Sequence, residues 1–212
     1  MTDFGDQITI GRFAAAGSEV YGANVTRALG TDEAASQLGD RITSFSNQRI
    51  TINAMGGDDF IQQAGAGAAT IYGGNGADII FGGANDDTIF GGNGNDLING
   101  GEGNDLLHGD AGNDTLNGGF GNDPVIGGSG ADEFFFNSLF GDGTTVVEDF
   151  EQGADMLRFV GLRSTDRDIE RLNITNTTFD GQQSVTMSYA DHTVIVLGET
   201  ANSFDDSDFL FG

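Results

Sequence analysis

Residues 73–132 of this 212-residue chain read GGNGADIIF GGANDDTIF GGNGNDLIN GGEGNDLLH GDAGNDTLN GGFGNDPVI GGSGAD, seven frames that begin nine residues apart. The sixth position of every frame is an aspartate, namely Asp78, Asp87, Asp96, Asp105, Asp114, Asp123 and Asp132. The eighth position is always apolar, namely Ile80, Ile89, Ile98, Leu107, Leu116, Val125 and Phe134. A strict period of this kind predicts a repeat architecture, so the repeat decides the fold.

Each frame combines a glycine-rich loop with a short strand. Glycine tolerates positive φ, so a loop of the form GGxGxD can curl and turn its carbonyl oxygens inward. Where Asn85 replaces the third glycine, asparagine is the substitute that best tolerates the left-handed conformation. The remaining residues, x-apolar-x, form a strand whose middle side chain points inward. Two frames then make one coil of eighteen residues, which predicts a parallel β-solenoid.

Stacking of the coils arranges the aspartates in two rows, because loops eighteen residues apart lie at the strand spacing of about 4.8 Å. The first loop row contains Asp78, Asp96, Asp114 and Asp132, and the second contains Asp87, Asp105 and Asp123. Calcium takes about 6–8 oxygen ligands, which two stacked loops can supply and one carboxylate cannot. Seven frames give five pairs of loops eighteen residues apart, so we expect about five calcium ions. The predicted carbonyl ligands are the first glycines of the frames, Gly73, Gly82, Gly91, Gly100, Gly109, Gly118 and Gly127.

Composition excludes several classes of protein. The formal net charge is -25, with 8 basic residues against 33 acidic ones, so binding to nucleic acid is not expected. A disordered acidic protein is the alternative, but the regular spacing of the aspartates favours a cation binder. There are no cysteines and only two histidines, which excludes disulfides and thiolate metal sites. The sequence MTDFGDQITI lacks the pattern of a secretory signal peptide, and no transmembrane segment is predicted.

The residues before the repeat divide into two segments. Residues 1–41 are predicted to form an irregular N-terminal cap, with a strand at 7–10 and a weak helical pattern at 31–38. Residues 42–72 carry isoleucines at spacings of nine or ten, and among their loops only Asp59 keeps the aspartate of the frame. We interpret them as degenerate leading coils of the same solenoid, with an unrelated β-hairpin as the alternative.

The strict period stops after Asp132, so residues 73–136 are assigned to the repeat roll and residues 137–212 to a β-rich C-terminal cap. Alternating polar and apolar residues predict strands at 144–150, 153–159, 172–177, 184–189 and 193–197. The spacing of these strands and the turn sequences between the last three predict an antiparallel β-cap that continues the stack of the solenoid.

Seven frames in register resemble the RTX, or hemolysin-type, calcium-binding repeats of bacterial proteins exported by type I secretion. The resemblance implies a right-handed parallel β-roll that folds on binding calcium. Three frames depart from the pattern, because Asn85 replaces a third glycine, Asp110 replaces a second glycine and Pro124 follows Asp123. Since proline cannot donate to a strand ladder, the regularity of that coil is in question.

The C-terminal region carries two further resemblances. Residues 144–159, TTVVEDFEQGADMLRF, resemble the region after the repeats in serralysin-type proteases and mannuronan epimerases. The ending DDSDFLFG, with Asp208 before Phe209, Leu210 and Phe211, resembles the uncleaved C-terminal signal that type I secretion machinery recognises. An ordinary final strand is the alternative. The resemblance, which covers roughly residues 55–212, implies a secreted, extracellular protein, associated with the cell surface or matrix.

No catalytic motif accompanies the repeats. The chain has no HExxH and no G-x-S-x-G, and about 40–50 residues before the solenoid are too few for a catalytic domain. We therefore expect a structural or interaction module rather than an enzyme. The alternative is a non-catalytic accessory module that aids the export, folding or substrate targeting of an enzyme.

Tyr72, Phe90, His108 and Ile126 occupy position nine of strands eighteen residues apart, so they form one outward column. An exposed apolar column usually marks a contact. Two interpretations are open: the chain's own terminal segments cover the column, or it binds a polysaccharide or protein partner.

Overall fold

The computed structural model describes residues 6–9, 19–22, 27–28, 39–137, 143–160, 172–189 and 192–211. These residues contain nineteen strands and one 3-10 helix, Asp206–Asp208, and no helix among them is long and apolar enough to cross a membrane. The strands through the repeats are β1 (Asp6–Thr9), β2 (Glu19–Gly22), β3 (Arg27–Ala28), β4 (Arg41–Ser44), β5 (Ile50–Asn53), β6 (Phe60–Gln63), β7 (Ala69–Asn75), β8 (Ile79–Ala84), β9 (Thr88–Asn93), β10 (Leu97–Glu102), β11 (Leu106–Ala111), β12 (Thr115–Ser129) and β13 (Glu133–Asn137). The strands that follow are β14 (Gly143–Val147), β15 (Met156–Val160), β16 (Thr175–Phe179), β17 (Gln182–Tyr189), β18 (His192–Leu197) and β19 (Phe209–Phe211).

The strands wind into a parallel β-solenoid with two facing sheets, which confirms the predicted fold class. Sheet A contains β5, β7, β9, β11, the second half of β12 and β14, and sheet B contains β4, β6, β8, β10, the first half of β12 and β13. In sheet B, Ile98 pairs with Ile80 on one side and with Leu116 on the other, so one coil takes eighteen residues. Pro124 does not interrupt β12, because Leu107 still pairs with Val125.

The core is a double column of inward side chains, one from each half-coil. All seven position-eight residues of the frames are 0–1% exposed, as the alternation of the strands predicts. Each coil of the repeat therefore contributes only two aliphatic or aromatic side chains to the interior. A core this thin leaves much of the stability of the repeat to its loops.

The leading coils pair in parallel with the repeat. Ile61 of β6 lies opposite Ile80, and Ile52 of β5 lies opposite Ile71, both at a spacing of nineteen residues. The strands of a hairpin would pair antiparallel, so that interpretation does not describe this segment. Further upstream, β1 pairs with β5 and β2 with β4, again in parallel. The helical pattern expected at 31–38 lies outside the described residues.

After the repeat the stack continues, and here one expectation was wrong. We predicted an antiparallel cap, but β14, β15, β18 and β19 join the two sheets as parallel strands. Inward apolar residues keep the parallel register, since Val147 lies opposite Val125 and Leu157 opposite Phe134. Among the described strands, only β16, β17 and β18 pair antiparallel, as the turn sequences between them predicted. A two-residue turn at Asp180–Gly181, with φ of 47° and 80°, produces the β16–β17 hairpin.

Candidate metal-binding loops

The loops of the repeat owe their shape to left-handed backbone at positions two and four of each frame. Gly74 and Gly76, for example, have φ of 114° and 127°. Asn85 has a φ of 71°, which confirms the conformation expected for it, and Asp110 adopts 74° at a position where the other frames have glycine. These positions curl each loop tightly enough to bring the aspartate of position six back over the first glycine.

A hydrogen-bond ladder joins the aspartates within each row. In the first loop row, the Asp78 N–H donates to Asp96 Oδ1 at 2.8 Å, and the Asp96 N–H donates to Asp114 Oδ1 at 2.7 Å. In the second row, the Asp87 N–H donates to Asp105 Oδ1 at 2.8 Å. One oxygen of each carboxylate is therefore fixed by the backbone of the preceding coil. The structure brings all seven predicted aspartates together in this way, as two rows along the solenoid.

The second carboxylate oxygen has no such partner. Among the described residues, Oδ2 of each repeat aspartate is buried and accepts no hydrogen bond, and Oδ2 of Asp59 shares this state. The seven repeat aspartates are only 0–2% exposed, so water does not replace the missing donor. A buried, unpartnered carboxylate oxygen is costly and indicates that a group outside the chain completes the site.

Two kinds of oxygen converge beside the first glycine of a frame. A β-carbon at Gly73 would overlap Asp78 Oδ2 and would lie 2.6 Å from the Gly91 carbonyl oxygen. We call such a space, lined by a loop's own Oδ2 and by the first-glycine carbonyl of the next coil, a cradle. The same arrangement occurs at five first glycines, namely Gly73, Gly82, Gly91, Gly100 and Gly109. Gly118 and Gly127 differ, because no first-glycine carbonyl of a following coil lies close to either.

Side chains of the chain itself balance little of the charge of the rows, and Arg49 lowers the pKa of Asp87 only as a minor effect. No lysine or arginine lies between Arg49 and Arg158. Burial, the largest effect, raises the pKa of Asp87 to about 8 and that of Asp105 to about 7, and backbone hydrogen bonds offset only part of the rise. The pKa values of the other five repeat aspartates rise to about 6 or 7 for the same reason. The ionised form of each carboxyl therefore lacks the stabilisation that a bound cation would provide.

The donor set fits a hard cation. The two oxygens nearest to each cradle are a carboxylate oxygen and a carbonyl oxygen, the ligand types that calcium prefers. No three histidine, cysteine, aspartate or glutamate side chains form a metal-binding group in the described parts of the chain. A metal ion here would therefore need backbone carbonyls as well as aspartates, as predicted for the first glycines.

Sequence reasoning missed a second ladder, formed by position five on the exposed side of the loops. The Asn113 N–H donates to Asn95 Oδ1 at 2.9 Å, and the Asn122 N–H donates to Asn104 Oδ1 at 3.0 Å. This ladder runs in the opposite direction to the aspartate ladder, because here the later coil donates. Asparagine recurs at position five of four frames, which was the available signal.

Carboxylates beyond the repeat differ from those within it. Asp155 continues the first loop row, and its two oxygens accept from the backbone N–H groups of Asp132 and Glu151 at 2.9 and 2.7 Å. Asp149 accepts from Gly127 and Gly128, both at 2.8 Å. Backbone donors thus satisfy these two carboxylates, where the repeat leaves one oxygen of each aspartate free.

The structure places the position-nine residues in one column on sheet A. The Tyr72 and Phe90 rings stack at 5.1 Å, and Phe90 and His108 stack at 4.8 Å. Ile126 pairs with His108 in the sheet, and Tyr72 remains 40% exposed. Because the rings stack on each other, the column presents mainly ring edges to its surroundings.

The residues of the proposed export signal form part of the fold. Phe209 is only 6% exposed and lies opposite Leu157 in sheet B, while Leu210 is 39% exposed. Asp208 accepts hydrogen bonds from the Asp205 N–H and the Gln152 side chain.

Comparison with known proteins identifies the repeat. Residues 63–98 and 99–134 match the RTX calcium-binding nonapeptide repeat, so the chain carries the RTX repeats predicted from its sequence. A solved subunit of the mannuronan C5-epimerase of Azotobacter vinelandii is similar over 59% of this chain and 78% of its own, at 29% identity and a TM-score of 0.45. An extracellular lipase of Serratia marcescens is similar over 92% of this chain at 18% identity and a TM-score of 0.38, and the match covers 42% of that lipase. No curated protein sequence matches the chain.

Proposed function

We propose that this chain is a secreted protein that folds on binding extracellular calcium and acts as a non-catalytic structural or interaction module at the cell surface or matrix. One observation carries the proposal. In each of five cradles, a buried carboxylate oxygen without a hydrogen-bond partner faces the first-glycine carbonyl of the next coil. No lysine or arginine of the repeat can supply a positive charge there, because none lies between Arg49 and Arg158.

The five cradles support a capacity of about five ions, the same number that the pairs of frames predict. Three cradles lie in the first loop row, beside Gly73, Gly91 and Gly109, and two lie in the second, beside Gly82 and Gly100. Gly118 and Gly127 end the rows without a cradle. Asp149 covers the last loop of the first row through its hydrogen bonds to Gly127 and Gly128.

Calcium binding is coupled to folding for an electrostatic reason. The metal-free fold must bury carboxyls whose pKa values of about 6 to 8 lie far above the ordinary 3.8, so near neutral pH it opposes their ionisation. The unfolded chain ionises them freely in water. A cation that binds only the folded loops shifts this balance, and its binding free energy becomes folding free energy.

Export by type I secretion machinery fits this coupling. Cytosolic calcium is low, so the chain would stay unfolded until it meets millimolar calcium outside the cell. The C-terminal residues 208–211 would then be free for recognition before folding, whereas in the folded chain Phe209 is buried in sheet B. Of the two histidines, His108 stacks on Phe90, and His192 Nε2 lies 2.9 Å from Thr145 Oγ1.

The test is a calcium titration of the full chain that combines far-UV circular dichroism with calorimetry. We expect little β-signal in chelator, a cooperative gain with calcium and uptake of about five ions. Magnesium should be a poor substitute, because it demands a near-octahedral shell and dehydrates reluctantly. A full β-signal in chelator that calcium leaves unchanged would exclude calcium-coupled folding.

A further inference from the structure

Gln63 occupies the position that glycine holds at the start of every repeat frame. Gln62 lies opposite Phe81 in sheet B, so the next residue, Gln63, aligns with Gly82. A β-carbon at Gly82 would lie 2.7 Å from Asp87 Oδ2 and 2.5 Å from the Gly100 carbonyl oxygen, inside a cradle. One coil earlier in the same row, the residue at this position therefore carries a side chain.

The Gln63 side chain is 1% exposed and supplies hydrogen-bond donors to its loop. Its amide nitrogen donates to the Ser46 carbonyl at 2.9 Å and to the Gly67 carbonyl at 3.0 Å. Both partners can only accept, so the nitrogen and not the oxygen of the amide must face them. The Gln63 amide oxygen lies on the other side, where the Gly65 N–H donates to it at 3.4 Å.

These two carbonyls come from different coils, since Ser46 precedes Gln63 in the stack and Gly67 belongs to its own loop. A cradle in the repeat likewise gathers oxygens from two stacked loops, but there the carboxylate Oδ2 accepts no hydrogen bond from the chain. The buried oxygen acceptors are thus satisfied in two ways. In the leading coil the N–H groups of the Gln63 amide donate to them, and in the repeat a bound cation would take that place.

The neighbouring loop supports this contrast. Ser44 and Ser46 are 1% and 3% exposed, and their hydroxyl groups accept from the N–H groups of Ser46 and Gln48. On the first loop row, Ala54 aligns with Gly73, because the Ala54 N–H donates to the Tyr72 carbonyl at 2.9 Å. Its methyl group takes the place that is open at Gly73. Asp59, which follows Ala54 in the same loop, is an exception to this contrast, because its buried Oδ2 accepts no hydrogen bond.

We propose that the Gln63 amide is a built-in substitute for the cation, so that strands β4–β7 keep their pairing when calcium is removed. The leading coils then form a metal-independent platform, and the free edge of β6 and β7 templates the first calcium-dependent coil, β8 and β9. The contrast between β4–β7 and the calcium-dependent coils rests on the proposed function. The role of Gln63 in its own loop does not, because it follows from the hydrogen bonds to Ser46 and Gly67.

The test is hydrogen exchange with mass spectrometry on the full chain, in calcium and in chelator. The probe variant is Gln63→Glu, which keeps the shape of the side chain but replaces the donor by an acceptor. The matched control is Gln62→Glu, the same change on the half-buried neighbour that faces outward. In the native chain, we expect amides of β4–β7 to stay protected in chelator while those of β8–β12 exchange.

Gln63→Glu should lower the protection of β4–β7 in chelator by about tenfold or more, and calcium should restore it, because calcium can serve three oxygen acceptors. Gln62→Glu should leave that protection unchanged. Loss of native β4–β7 protection in chelator would overturn the inference, as would a Gln63→Glu variant that behaves like the control. Failure of the proposed function has a different signature, which is protection of β8–β12 that does not depend on calcium.

Discussion

Replacing Gly100 by alanine tests the cradles directly. Gly100 does not have positive φ, so alanine fits its backbone. The added methyl group would overlap Asp105 Oδ2 and would lie 2.5 Å from the Gly118 carbonyl oxygen, the two atoms that line this cradle. We expect Gly100→Ala to bind one calcium ion fewer than the native chain and to leave the other four cradles intact.

The size of the effect follows from linkage. A site held at a free calcium concentration about 100 times its dissociation constant contributes about 2.7 kcal/mol to the folded state. Crowding of the loop by a methyl group adds about 1–3 kcal/mol of destabilisation. In a chain of this size, each kcal/mol lowers the thermal midpoint by about 2–4 °C. The calcium-loaded midpoint should therefore fall by roughly 10 °C.

The assay combines calorimetric ion counting with thermal unfolding in saturating calcium. Gly56→Ala is the matched control, because a β-carbon there meets its nearest atoms at 3.6–3.8 Å, which is ordinary contact, and the backbone φ is not positive. The control should keep both the ion count and the midpoint. The cradle assignment is wrong if Gly100→Ala takes up as many ions as the native chain and unfolds at the same temperature.

Three more predictions concern the two ladders. The Asp96→Asn variant should bind one ion fewer than the native chain. Its metal-free fold should nevertheless be more stable by about 1–3 kcal/mol in urea unfolding, because the change removes a buried charge and supplies an amide donor. An unchanged ion count would contradict this prediction. Without calcium, the β-signal in circular dichroism should increase as the pH falls from about 8 to about 5. Folding raises the aspartate pKa values to about 6–8, so in this range the folded state binds more protons than the unfolded chain. A signal that stays flat across this range would refute the prediction. Asn104→Ala should cost about 0.5–1.5 kcal/mol in urea unfolding both in calcium and in chelator, because the exposed ladder does not face the cradles; a calcium-dependent loss would argue against that separation.

The fold of the repeat could be predicted from its sequence because one spacing fixes many features together. A strict period of nine places Ile80, Ile98 and Leu116 at equivalent positions, so any coil that buries one of them buries them all. The same spacing puts the aspartates of each row in line. The left-handed backbone of Asn85 was also predictable, since the frame requires that conformation at its fourth position.

Other features could not be predicted because period and alternation do not encode them. Alternating residues indicate a strand but leave its direction open, which is why the parallel strands after the repeat were expected to be antiparallel. Asp155 joins the first loop row although it lies 23 residues after Asp132 and outside any glycine frame. The role of Gln63 was hidden as well, since the one-residue difference in coil length before the repeat obscures its alignment with Gly82.

The balance of hydrogen-bond donors and acceptors in each loop accounts for the boundaries of the metal-binding segment. In each repeat loop, the position-six N–H is already committed to the carboxylate of the next coil, and Oδ2 of the loop's own aspartate accepts no hydrogen bond. A loop that buries such an unpaired oxygen acceptor must bind a cation, bind a proton or stay unfolded. The surplus disappears where Gln63 adds two N–H donors, and again where Asp155 accepts from Glu151. With the exception of Asp59, whose buried Oδ2 also lacks a partner, the calcium requirement should therefore begin after the Gln63 loop and end at Asp132.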